Sequence, residues 1–277
     1  MPSWTYALPL PITGAVFLAM AGAPIAPAVA QAPKMPAPPA GMAAAPAHPD
    51  IEPAALAILK ATSQRLTSAK TLAFTAISTY ESPARNGQPL YYMTRSDVSL
   101  MRPNFLRVLT PGDGPASDFY YDGKTMTAYS PAADLIAVAG APPTIDAMLK
   151  SAYDVAAIYF PFTDVIVDDP YKDLSEGLTY AYVVGQSHVV DDTVTDIVAI
   201  ANPNVQAEIW IGVDDGLPRM VHATYVNDPT HQRYTVEMKD WRTNVTLTPA
   251  DFVAGRQGKA LLMQFARPDK LPIKGKK

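Results

Sequence analysis

Cysteine is absent from all 277 residues, and charged side chains are scarce at 17% of the chain. The first absence removes disulfide staples, thiolate nucleophiles and cysteine metal ligands, together with the thioether through which a processed N-terminus is lipidated. The second leaves 22 basic residues against 26 acidic ones, a net charge of −4. A phosphate backbone requires a basic stripe that this chain does not have, so no nucleic-acid partner is expected.

Catalytic signatures are missing too. There is no G-x-S-x-G elbow, P-loop, G-x-G-x-x-G or H-E-x-x-H. His188, His222 and His231 lack the short spacing of paired metal ligands, so each reads as a satisfied or exposed histidine. Asp168-Asp169, Asp191-Asp192 and Asp214-Asp215 put acids side by side, but neighbours on a strand point to opposite faces. Turn chemistry accounts for these pairs more simply. No catalytic residue, metal site or cofactor is expected, and the chain does not read as an enzyme.

What the chain has is apolar residues, 48% of the total. The first charge is Lys34, and before it lies an uncharged, largely apolar run over residues 12–23, then Ala28-Val29-Ala30. This pattern fits a cleaved signal peptide over 1–30, and the run is well short of the roughly 20 residues that span a bilayer. Residues 31–50 are mostly Ala and Pro, the composition of an extended linker. The folded domain is expected over 51–267. Residues 268–277 form a basic tail whose lysines, with Arg267, read as a solvated end, transient contact with anionic lipid being the alternative.

Periodicity divides the domain. Asp50 is placed to cap a helix starting at Ile51-Glu52-Pro53, with Leu56, Leu59, Ser63 and Leu66 on one side. Strand-like runs follow over 71–80, 90–101, 105–110, 118–121 and 125–129. A second helix is expected from Ile145 to Phe160, its apolar stripe including Met148, Leu149 and Tyr153, with Pro161 ending it. Five more strands are read at 180–190, 193–201, 206–213, 220–226 and 232–240. Among these, "AEIWIGVDDGLPRMVHATYV" (207–226) alternates on both sides of an Asp-Gly turn, as a hairpin does. The expected architecture is mainly β with some α: a curved antiparallel half-barrel of about ten strands, its concave face covered by two helices.

The order of helix, five-strand meander, buried helix and five-strand return, with "AEIWIGVDDGLPRMVHATYV", "YTVEMKDW" and "LTPADFV" in sequence, resembles an uncharacterised family of predicted bacterial periplasmic proteins. That family is similar to the LolA/LolB lipoprotein-carrier fold. The resemblance implies a periplasmic location and a hydrophobic small molecule or lipid-linked protein as partner, because carriers of that fold hold acyl chains between an incomplete barrel and a helical lid.

The residues placed to line such a space are Phe74, Val98, Leu100, Leu106, Val108, Ile209 and Ile211 on strands, with Met148 and Tyr153 on the second helix. Met148, Ala152, Ala156 and Ala157 favour a loosely filled interior over tight packing. The expected function is non-enzymatic: a periplasmic carrier or binder of an acyl chain, lipid or lipid-anchored protein. The alternative is a periplasmic protein-interaction module with a core filled by side chains. The oligomeric state is left open.

Overall fold

Alternation along the strands puts every second side chain of each on one side of a sheet, where the helices bury it. In the computed structural model, residues 49–111, 116–229, 231–255 and 259–267 are described. The signal peptide expected over 1–30, the linker up to residue 48 and the tail at 268–277 lie outside them. The first half runs α1 (Pro53–Ser68), β1 (Thr71–Pro83), β2 (Pro89–Met101), β3 (Phe105–Thr110), β4 (Ser117–Tyr121), β5 (Thr125–Ser130) and β6 (Leu135–Gly140). Three helices follow, α2 (Ile145–Ala156), α3 (Thr163–Ile166) and α4 (Pro170–Ser175). The second half is β7 (Tyr180–Ser187), β8 (Thr195–Ala201), β9 (Val205–Gly212), β10 (Pro218–Tyr225), β11 (Arg233–Thr243) and the two-residue β12 (Leu261–Leu262).

All twelve strands form one sheet, in the order β12-β6-β5-β4-β3-β2-β1-β11-β10-β9-β8-β7. Two antiparallel meanders are joined where the long β1 pairs with β11, and the sheet stays open, with β7 at one end and β12 at the other. The register aligns the apolar positions into rows. Phe74, Val98, Val108 and Phe119 lie opposite one another across β1 to β4, and Leu72, Leu100, Leu106 and Tyr121 form the row beside them. In the other meander, Val198, Ile209, Val221 and Val236 make the matching row. Together with Leu59 and Leu66 of α1, Met148 and Ala152 of α2, and Val165 and Ile166 of α3, these rows build one continuous core.

The structure adds two strands and two short helices to the expected set. Ala137, Ala139 and Gly140 give β6 little strand propensity, and β12 pairs in parallel with it over two residues only. α3 and α4, at four and six residues, are too short to show a helical period. Glu52, rather than Asp50, is the N-cap of α1; its carboxylate accepts from the Val183 N–H at 3.0 Å, so it ties the helix to β7.

The more consequential difference is the end of α2, at Ala156 instead of Phe160. Ala157 adopts a left-handed φ of 56°, its N–H returning to Tyr153 O while the Ile158 N–H returns to Ala152 O. That pair of bonds closes the helix and releases the next residues from it. Residues 158–162 therefore run as irregular chain across the concave face.

Candidate functional site

The released segment carries Tyr159, Phe160 and Phe162 into the interior. Phe160 meets Phe119 at 5.1 Å edge-on and Phe162 at 5.7 Å; Phe162 meets Phe74 at 5.6 Å, and Phe74 stacks on Trp241 at 4.3 Å. An aromatic run thus crosses the concave floor from β4 to β11. None of Phe160, Phe162 or Trp241 stood out in the sequence as a candidate. Phe160 was hidden by its helical spacing from Tyr153 and Ala157; the cluster of aromatic residues at 159–162 is the signal that could have found it.

Eight of the nine residues placed by sequence at a ligand space, Phe74, Val98, Leu100, Leu106, Val108, Met148, Ile209 and Ile211, are at most 3% exposed and share the one core. Where α1 and α3 cover β9 to β11 the packing is close. The two voids there hold about 20 Å³ each, one beside Ile209 and Ile211 and the other beside Tyr225 and Tyr234. Each has room for about one water. Tyr153, the ninth, lies half-buried on the outer side of α2, and Arg267 sits over its ring at 5.6 Å. Arg267 is therefore packed on the domain instead of belonging to a solvated tail.

A more open depression of about 520 Å³ lies on the sheet beside Tyr180, Glu208 and His222. Tyr153 borders a cleft of about 310 Å³ between α2 and α4. Its apolar wall is Leu149, Ile158, Phe160 and Val167; its polar rim is Asp146, Lys150, Lys172 and Asp173. Phe160 belongs both to this wall and to the aromatic run, so the cleft backs directly onto the concave floor. Burial pushes the carboxyls of Asp146 and Asp173 above the ordinary carboxylate range, for Asp146 against the opposing effect of the Asp168 N–H it accepts at 3.0 Å. Arg102, at the end of β2, donates to Asp168 Oδ1 at 3.1 Å and to Val167 O at 3.2 Å, fixing the segment between α3 and α4. The backbone of α2 is approached less closely by other elements than that of α1, which packs directly on α4 and β7.

Behind α3 a second group of polar side chains gathers, Tyr234 buried and the others half-buried. Tyr159 is hydrogen-bonded to Tyr225, with Tyr234 and Asp164 beside them, and burial pushes the phenols of Tyr159 and Tyr234 well above their usual value. Ser78 faces the Tyr234 hydroxyl without completing a hydrogen bond, so that oxygen is buried and unsatisfied.

The acid pairs resolve into structural contacts. Asp215 accepts from Arg219 Nη2 at 2.7 Å and from the Leu217 N–H at 3.0 Å, pinning the turn in which Gly216 takes a φ of +68°. Asp191 meets the same guanidinium at 3.2 Å, Asp169 caps α4, and Asp168 holds Arg102. His222 is turned away from that turn, its Nδ1 2.9 Å from Thr235 Oγ1 and Glu208 across from it on β9. Among the described residues, no three His, Asp or Glu side chains gather as a metal ion would need.

A search of curated proteins gives no match to the chain. Several solved structures share its general fold at low identity. An uncharacterised conserved protein from Thermus thermophilus is 10% identical with a TM-score of 0.43, over 76% of this chain and 99% of that one. The Pseudomonas aeruginosa MucA/MucB complex matches at 16% identity and a TM-score of 0.42, over 74% of this chain and 62% of that one. A LolA superfamily protein from Nitrosomonas europaea matches at 8% identity and a TM-score of 0.35, over 72% of this chain and 97% of that one. Scores of this size carry nothing about function. The family model is decisive where they are not: it matches residues 55–266, and the chain belongs to the family described as predicted periplasmic protein (DUF2092).

Proposed function

We propose that the protein is a non-enzymatic periplasmic binding protein that takes a hydrophobic, acyl-chain-like group into the cleft between α2 and α4. The observation that carries this reading is the cleft itself: about 310 Å³, apolar on its inner wall, backed by the aromatic run and roofed by a helix that other elements approach less closely than they do α1. That volume lies at the lower end of the roughly 300–1,000 Å³ of small-molecule sites. A longer chain would need more room, which outward movement of α2 and of the segment at 158–162 would supply by uncovering Phe74, Val98, Val108 and Met148. The rim of Lys150, Lys172, Asp146 and Asp173 suits a polar or lipid-linked head group left at the mouth. A hydrophobic small molecule or a lipid-anchored protein is the partner this predicts. Export to the periplasm is supported by the family description and by the signal-peptide pattern of residues 1–30.

A second reading, an interaction module with a static, filled core, is supported by the two 20 Å³ voids under α1 and α3. Native mass spectrometry of protein prepared from a lysate containing membranes, with titration of a fluorescent fatty acid, separates the two. Co-purified lipid, or saturable uptake weakened by Leu149→Arg in the cleft wall, supports the binding reading. A clean apo mass with no uptake eliminates it.

A further inference from the structure

Among the described residues, the sheet leaves one long strand edge unguarded. β1 and β2 pair along their whole length, from Thr71↔Met101 to Pro83↔Pro89. On its other side, β2 pairs with β3 only from Asp97 to Met101. Ser96 still reaches Thr110 through a 3.0 Å hydrogen bond between their hydroxyls. Among the described residues, no strand lies along residues 90–95 on that edge.

Four large apolar side chains in a row stand in water on this segment: Leu90 is 37% exposed, Tyr91 68%, Tyr92 43% and Met93 46%. Tyr91 and Met93 share one face of the ribbon, while Leu90 and Tyr92 share the other, where Tyr92 stacks on Tyr80 at 5.5 Å. Soluble proteins normally blunt a bare edge with a lysine, a bulge or brevity. The ends of this sheet follow that rule. β7 carries a bulge between Val183 and Gly185 and has Ile51 bridged onto Ala181, and β12 is only two residues long. Residues 90–95 contain no lysine, and the register of β1 and β2 is unbroken. Pro89 removes one donor, at the first position.

We infer that the β2 edge at residues 90–95 is a docking site for an extended peptide segment of a partner protein, which adds to the sheet as a further strand. The chemistry of the edge selects the occupant. Unpaired backbone donors and acceptors in a row match only another extended, proline-free backbone, and the side chains flanking them read alternate positions. Residues 89–94 carry no charge, and Arg95 is already neutralised by Asp97 at 3.0 Å, so the matching segment is uncharged, with aromatic or aliphatic residues facing Tyr91 and Met93 on one side and Leu90 and Tyr92 on the other. About six paired residues make a small contact, which places the interaction in the weak, exchangeable class. This site is separate from the cleft and does not depend on it.

A phage-displayed nonapeptide library panned on the full chain supplies the probe, and an enriched peptide is then synthesised with a fluorescent label. Backbone pairing predicts that N-methylation of one alternate set of its amides weakens binding at least tenfold while methylation of the other set does not. Tyr91→Lys and Met93→Lys should each weaken binding at least tenfold with unchanged circular dichroism and Tm, since both side chains are exposed. Equal loss from both methylation sets, binding that survives both substitutions, or a library yielding no peptide that needs this strand would overturn the inference. So would a concentration-dependent dimer in sedimentation that Met93→Lys abolishes, because the edge would then belong to a second copy of the chain.

Discussion

Phe160→Ala tests the cleft most directly, because this ring separates the opening from the concave floor. It is 9% exposed and packed between Phe119 and Phe162, with one side forming the cleft wall. Truncating a fully enclosed phenylalanine costs about 3–5 kcal/mol. Here water or a ligand can enter the space from the cleft, so the cost belongs at the lower end, about 3 kcal/mol. For a domain of this size, that is a fall in Tm of roughly 6–12 °C. The vacated volume joins the 310 Å³ cleft to the floor lined by Phe74, Val108 and Phe119. A fatty acid should then bind the variant more tightly than the parent, and at a concentration about 100 times its Kd it should return about 2.7 kcal/mol of stability. Differential scanning calorimetry with and without a C12–C16 fatty acid series measures both effects. A variant that loses the stability, gains none of it back from any member of the series and takes up no more fluorescent fatty acid than the parent would refute the idea that Phe160 gates a hydrophobic space.

Met148 is completely enclosed, so Met148→Trp overpacks α2 against the sheet and should cost about 1–3 kcal/mol by urea unfolding; an unchanged midpoint would show that α2 covers empty volume. Arg219→Ala strands Asp191 and Asp215, but both carboxylates are more than a third exposed and stay hydrated, which limits the loss to about 1–3 kcal/mol, also read by urea unfolding. Burial raises the carboxyls of Asp146 and Asp173, so both bind protons more tightly when folded. Their contribution is fully present below the unfolded carboxylate pKa and is lost as pH rises through their folded values. Glu81, Asp122 and Asp251 are shifted downward and act in the opposite sense, losing their contribution as pH falls. Asp146→Asn keeps an acceptor for the Asp168 N–H and should therefore stabilise the protein more at pH 7.5 than at pH 4; an equal effect at the two pH values would contradict the burial argument.

Most strands were legible because alternation is a local property. Ile209 and Ile211 repeat at two-residue spacing before the Asp-Gly turn, and both are buried as that period requires. Val213 continues the same alternation yet is 46% exposed, because β9 ends at Gly212 and the chain turns out to meet Arg219. The end of α2 was not legible. Pro161 looked like its terminator, but the helix stops at Ala156, and the residue after it is an alanine in the left-handed conformation that glycine usually marks. That difference turns Tyr159, Phe160 and Phe162 from one helical stripe into the wall of a cleft.

The sequence by itself determined the class of the protein: a cysteine-free, mainly β chain with one apolar face to each strand and amphipathic helices to cover it. It also determined most of the residues that would be buried, Val213 and Tyr153 being exceptions, since period and hydrophobicity are carried by neighbouring residues. The tertiary structure decided where that burial stops. The volume between α2 and α4, the unsatisfied Tyr234 hydroxyl and the bare edge of β2 all arise where elements of unequal length meet, and β3, the next strand along the chain, sets the last of these only by how little of β2 it pairs with. Such mismatches are properties of contacts between whole elements, which no local pattern records.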